Sequence, residues 1–194
     1  MGRWEPNARG RLEQAALELY GEHGFDRTTV KEIAERAGLT ERTFFRHFAD
    51  KREVLFPQSN PLQTTLVAAL ADAPGDAAPI DAVAAALAAA APLFEERREL
   101  AARRQTVIDA NAELRERELI KLASLGEALA DGLRLRGTPE PAAGLAAEAG
   151  VAAFKAAFKE WIGDAGGPDL PQCLRRAFAE LTAVVAGAER TAGR

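Results

Sequence analysis

Two short helical patterns meeting at one glycine, in TTVKEIAERAGLTERTFFRHFADK (Thr28–Lys51), constrain this chain more than anything else in it. The first pattern carries Val30, Ile33, Ala34 and Ala37 at spacings of three and four, one apolar face on an otherwise polar helix. Gly38 follows where the chain must leave the helix with φ > 0, a conformation that a side chain would penalise. Leu39 is placed to plug the corner, and Thr40 offers a hydroxyl to cap the next helix. That helix buries Phe44 and Phe48, four apart on one face. At about 100° per residue, Arg42, Thr43 and Arg46 then point the other way. Helix, glycine turn and a second helix with a basic outer face make a helix-turn-helix over about residues 29–48, the arrangement that a DNA major groove accepts.

Composition narrows the alternatives. A chain of 194 residues is longer than such a motif requires, and 47% apolar residues suffice for a core, much of it alanine and so suited to close helix–helix packing. The longest apolar run, Ala82–Ala91, is shorter than the ~18–20 residues that span a bilayer, so no membrane segment is expected. The stretch MGRWEPNARG lacks the apolar core of a signal peptide. A single cysteine, Cys173, excludes an internal disulfide and fits the reducing cytoplasm. The two histidines, His23 and His47, and that one cysteine form no metal-ligand or nucleophile–histidine constellation. We therefore expect no enzyme, catalytic residue, metal or cofactor.

Charge divides the chain in function. Residues 1–56 hold ten basic and ten acidic groups, but Lys31, Arg42, Arg46, Lys51 and Arg52 cluster near the motif, while Glu13, Glu18 and Glu22 sit on the preceding helix. The other 138 residues carry fifteen basic against nineteen acidic groups and would not lie along phosphates.

Periodicity predicts helices throughout and strand alternation nowhere. Asn7 is placed to cap a first helix with Leu12, Ala15, Ala16 and Leu19 inside, ended by Gly24–Phe25. Asp50 is expected to cap a fourth helix through Val54–Leu55–Phe56. The segment PQSNP (57–61) reads as the domain boundary. Beyond it we expect a helix to Leu70, a loop at 72–79, a helix opened by Pro79, a charged helix over 96–110, and long helices at 111–136 and 140–163. A last one spans about 169–188. The expected fold is all-α: residues 1–58 a helix-turn-helix DNA-binding domain, residues 59–194 a helical effector-binding and dimerisation bundle.

Residues 9–56 also resemble a known family. RLEQAALELYGEHGF (Arg11–Phe25), TTVKEIAERAG, TFFRHFADK and the segment opening at Asp50 are similar, in that order, to the DNA-binding domain of the TetR family of bacterial transcriptional regulators. The remainder matches only in kind. The resemblance implies that Lys31 reaches a base edge or phosphate and that Thr29, by its hydroxyl or the amides behind it, holds a phosphate. It places Glu41, Arg42 and Thr43 at base-reading positions, with Arg42 suited to guanine O6 and N7 and Glu41 to cytosine N4 or to its own helix N-terminus. His47 and Lys51 match phosphate contacts. Phe45 stands where the family usually has tyrosine, so it can pack on sugar or a thymine methyl but cannot donate a hydrogen bond.

Further along, Phe94, Phe154, Phe158, Trp161 and Phe178 are either core or the lining of a ligand pocket, with Arg103, Arg104 or Asp109 as polar groups to orient an apolar or aromatic small molecule. The resemblance implies a homodimer through the last two helices. The expected function is a ligand-responsive repressor released from a palindromic operator. The alternative is an effector-free or partner-controlled DNA binder whose bundle is solid core.

Overall fold

The structure, a computed structural model, describes residues 7–57, 60–94 and 97–187. Nine α-helices make up the described residues, with no strand among them: α1 (Ala8–His23), α2 (Val30–Arg36), α3 (Glu41–His47), α4 (Pro61–Asp72), α5 (Pro79–Ala90), α6 (Arg98–Asp109), α7 (Ala112–Leu135), α8 (Ala142–Gly163) and α9 (Leu170–Val185). A 3-10 turn at Ala91–Phe94 follows α5. Gln58 and Ser59 of the PQSNP break, Glu96 at the expected start of the charged helix, and residue 188 at the expected end of the last one lie outside the described residues.

The chain forms two compact units. The first comprises Met1–Asn60 with Glu99–Leu119, and the second Pro61–Arg98 with Ile120–Arg194. The expected division was a single cut near residue 58; the segment Glu99–Leu119 joins the first unit because Val107, Ile108 and Leu114 are buried in its core with Leu12, Ala16, Leu19, Ile33, Phe44 and Phe48. Arg104 of α6 belongs to this unit too. Its guanidinium donates to the Leu55 carbonyl, pairs with Glu118 at 3.3 Å and lies over the Phe56 ring.

One element differs from expectation. Residues 49–56 form turns instead of a fourth regular helix. The Asp50 carboxylate accepts from the amides of Arg52 and Glu53, and the Glu53 and Leu55 amides bond three residues back to Asp50 and Arg52. The carboxylate thus caps the segment, and it stays a set of turns because those amides close tighter rings three residues back, while the Phe56 amide bonds four back to Arg52. Leu55 and Phe56 are buried all the same.

In the second unit α5 packs against α4 and α8, and α8 against α9. Small residues set how closely. Gly150 of α8 meets Val83 of α5 so tightly that an added Cβ would lie 2.3 Å from Val83 Cγ1. Two arginines tie its loops. Arg136 donates to the carbonyls of Leu70, Ala73 and Pro74 at the end of α4. Arg98 donates to those of Asp164, Ala165, Gly167 and Pro168 in the α8–α9 connection. Each satisfies carbonyls that a helix end or loop leaves without a backbone partner.

Candidate nucleic-acid interface

The turn between α2 and α3 is held from both sides. Gly38 adopts φ 65°, and Arg11 of α1 donates to the Ala37 carbonyl just before it. A Cβ on Gly38 would lie 2.9 Å from the Arg11 guanidinium. The turn therefore needs glycine for its backbone angle and for its neighbour. Nothing in the spacing marks Arg11 as this clamp, because its partner is 26 residues away.

Both helices of the motif are capped, α3 by Thr40 as expected and α2 by Thr29, whose hydroxyl was expected at a phosphate. Thr29 accepts from the Glu32 amide at 3.2 Å, while the Glu32 carboxylate accepts from the Thr29 amide and hydroxyl, each at 2.7 Å. This reciprocal box satisfies two orphan donors at the start of α2. The bonds from Thr29 hold the Glu32 carboxyl below its ordinary range. Thr40 caps α3 by accepting from the Thr43 amide at 3.2 Å, and the two hydroxyls lie 3.1 Å apart. The hydroxyls of Thr29 and Thr40 thus serve the helix starts first.

The two faces of α3 separate cleanly. Phe44 is 0% exposed and Phe48 just beyond the helix is 1%. Their rings sit 5.4 Å apart. On the opposite side Glu41, Arg42, Phe45 and Arg46 are exposed and Thr43 is half-buried. Phe45, 55% exposed, stands nearly perpendicular to Phe44 with centroids 5.6 Å apart. An aromatic ring this exposed, edge-packed on a fully buried one, is held in one direction without being covered. Lys31 is exposed on α2 and lies 4.0 Å from Glu35.

His47, at the end of α3, is half-buried, and its Nε2 is buried with no hydrogen-bond partner among the described residues. Burial first, then the charges of Arg46 and Arg9, lower its pKa below the usual histidine range. The imidazole is therefore held toward its neutral form. Arg9 lies over the Phe48 ring at 4.7 Å and bonds Glu13, another basic group beside the motif that periodicity did not single out.

Lys51, expected at a phosphate, has its ammonium bonded within its own unit. Its ammonium donates to the carbonyls of Phe25, Asp26 and Thr28 at 2.8, 3.1 and 3.0 Å.

The residues proposed for a ligand fall in two places. Phe94, Phe154, Phe158 and Trp161 come together in the second unit, with ring centroids 5.6–6.1 Å apart. Arg98, unnoticed in the sequence, lies 5.4 Å from the Trp161 ring. Arg104 belongs to the first unit and is bonded there. Arg103 is exposed and paired with Glu99 at 2.5 Å, Asp109 is exposed, and Phe178 is half-buried. No helix of the described residues is long and apolar enough to cross a membrane. No group of three or more acidic, His or Cys side chains among the described residues is arranged to hold a metal ion.

Residues 13–56 match the family model of bacterial regulatory proteins of the tetR family, and residues 77–186, more than half of the chain, match that of the MftR C-terminal domain. The chain belongs to the TetR family. It is thus a transcriptional regulator built on a helix-turn-helix and not an enzyme. The HTH-type transcriptional regulator TcmR of Streptomyces glaucescens is 40% identical over 81 residues, 42% of this chain and 36% of that protein. The chain therefore covers only about a third of this curated relative's length. Two solved structures share the fold. SmeT, the repressor of the Stenotrophomonas maltophilia multidrug efflux pump SmeDEF, is 20% identical with a TM-score of 0.58 over 91% of this chain and 89% of its own. FadR of Thermus thermophilus, solved with lauroyl-CoA, is 22% identical with a TM-score of 0.55 over 96% of this chain and 99% of its own.

Proposed function

We propose that this regulator is a homodimeric repressor that places one α3 in the major groove of each half of a palindromic operator and leaves it when a small molecule binds the second unit. The observation that carries the reading is the outer face of α3, where Arg42, Phe45 and Arg46 stand exposed on a helix anchored by the fully buried Phe44. Arg42 is the residue for a guanine, with Glu41 and Thr43 beside it at base edges. Lys31, Arg46, His47 and the start of α2 at Thr29 are the groups for phosphates, and Phe45 is the one for a sugar or thymine methyl. Replacing Arg42 by Ala should cost on the order of 1–3 kcal/mol of binding and relax the preference at one base pair per half-site. Lost affinity with unchanged base preference would refute Arg42 as a base reader.

A palindrome calls for two copies, with recognition helices about 34 Å apart. The last two helices carry apolar residues left open in one chain: Leu145 is 67% exposed, Val184 67% and Val185 79%. Small residues lie near them (Ala146, Ala149 and Ala183, half-buried). That surface supports a second copy seated on α8 and α9, and the dimer acts in the cytoplasm, where the operator is.

For the effector, the ring cluster of Phe94, Phe154, Phe158 and Trp161 favours an apolar or aromatic molecule, in keeping with the lauroyl-CoA held by FadR. To release the dimer, such a molecule must bind the operator-free state more tightly, so operator DNA must weaken its binding by the same factor. The mutual contacts of those four rings favour a second reading, an effector-free or partner-controlled binder, since an occupant would have to part them. Trp161 fluorescence in a Trp4→Phe background, titrated with an apolar compound library with and without operator, decides between them. A binder weakened by operator supports release by a ligand; no binder supports the second reading.

A further inference from the structure

We infer that Lys51 is a positioning residue of the DNA-binding unit: it seats the helix-turn-helix on its support through the α1–α2 loop and does not contact a phosphate. The inference rests on the operator-binding reading above and names how one residue serves it. The loop carbonyls of Phe25, Asp26 and Thr28 converge on the ammonium at 2.8–3.1 Å. An ammonium has three protons, and three carbonyls take them. The Phe25 ring closes a further side, 4.5 Å from Nζ, a distance at which the ring face attracts a cation. The side chain is half-buried.

The backbone of the same residue is gripped as well. Tyr20 of α1 donates its hydroxyl to the Lys51 carbonyl at 2.6 Å, and its ring meets Phe25 edge-on at 5.1 Å. Burial, with Asp50 nearby, pushes that phenol far above its ordinary range, so it stays a donor. Lys51 thus ties the 49–56 turns to α1 by its backbone and to the loop by its side chain. The loop leads directly into α2: the buried Thr28 donates to the Leu19 and Gly24 carbonyls, and Thr29 caps the helix. Ile33 and Ala34 of α2 are buried, and Ile33 shares one core with Phe44 of α3. Movement of the loop is passed by packing to the helix that reads DNA. A lysine reaching for phosphate would have to abandon three carbonyls in a half-buried site, each costly to leave unpaired.

The experiment uses the full-length chain and a duplex enriched by the wild-type protein from random DNA. Binding is measured across a salt series for wild type, Lys51→Met and Lys51→Arg at a temperature where each is folded by circular dichroism. A phosphate contact contributes about 0.9 to the slope of log K against log salt. A positioning lysine predicts about a tenfold or greater loss in Lys51→Met, equal at every base pair and with the salt slope unchanged. Lys51→Arg should not restore it fully, because the larger, planar guanidinium does not fit the space that three carbonyls and the Phe25 ring close around an ammonium. A slope lowered by about 0.9 and rescued by arginine overturns the proposal, as does unchanged affinity in a folded Lys51→Met.

Should Lys51→Met not fold, lysine acetylation of the wild-type protein decides. Lys51 should be unreactive with and without DNA, while Lys31, its side chain 69% exposed, reacts in the free protein. A Lys51 that reacts freely until DNA is added overturns the proposal. A wild-type chain that enriches no sequence instead overturns the operator-binding reading, and the positioning role with it.

Discussion

Gly150→Ala isolates how closely α5 and α8 must approach, because two effects of opposite sign meet at one buried position. In a helix interior, glycine to alanine is worth about 1 kcal/mol in favour of the folded state. Against it, the new Cβ would lie 2.3 Å from Val83 Cγ1, 3.5 Å from Val83 Cβ and 3.9 Å from Leu87 Cδ1. Val83 is fully buried, and a β-branched side chain in a helix has essentially one χ1 rotamer, so it cannot swing away. The helices must separate or bend, and overpacking of this kind costs about 1–3 kcal/mol. With a contact so short the upper half of that range applies, leaving a net loss of about 1–2 kcal/mol.

A double-mutant cycle makes the cause visible. Val83→Ala alone should cost about 2 kcal/mol through its cavity, and in combination the alanine at 150 occupies part of that space, giving a favourable coupling of about 1–2 kcal/mol. Urea unfolding of the four proteins at one fixed chain concentration reads both values, since the stability of a dimer varies with concentration. A Gly150→Ala protein more stable by about 1 kcal/mol, with no coupling to position 83, would refute the close approach and leave helix propensity as the whole effect.

Gly38→Ala should cost about 1–2 kcal/mol, because it forces φ 65° on a side chain and meets the Arg11 guanidinium; calorimetry showing no loss would contradict the turn geometry. The lowered pKa of His47 means that the unfolded chain binds its proton first. Stability should therefore be full above the ordinary histidine pKa of about 6.5 and fall as pH drops below it, less so in His47→Gln. Equal pH profiles for the two proteins would refute this. Leu145→Arg with Val184→Glu should convert the dimer into folded monomers in sedimentation at micromolar concentration, and an unchanged dimer would remove α8 and α9 as its interface.

The parts of the molecule that sequence made legible are those governed by neighbours a few residues apart. Asn7 and Thr40 cap the helices that they precede, and Gly38 turns the chain at positive φ. The buried spacing of Ile33, Ala34, Phe44 and Phe48 appears as written. Residues 49–56 carry the cap and the apolar pattern of a helix, and Asp50 does cap them, but the Glu53 and Leu55 amides close turns three residues back, a difference that side-chain pattern does not show. The contacts that could not be read are long in sequence. Arg11 to Ala37, Lys51 to the loop at 25–28, Arg98 to the loop at 164–168 and Arg136 to the end of α4 all place a cation among backbone carbonyls. Carbonyls are the same at every residue, so such partners leave no trace in side-chain pattern. Placing Glu99–Leu119 in the first unit was illegible for a related reason: periodicity shows which face of a helix is apolar, not which core receives it.

The central claim is that the exposed face of α3 reads a symmetric operator. Enrichment of random duplex DNA by the full-length chain, followed by sequencing, tests it most directly. The account predicts an inverted repeat whose half-sites lie about one helical turn, or a whole multiple of it, apart, with a guanine in each half lost from the consensus when Arg42→Ala repeats the selection. No enrichment, or an unrepeated site insensitive to Arg42→Ala, would contradict it.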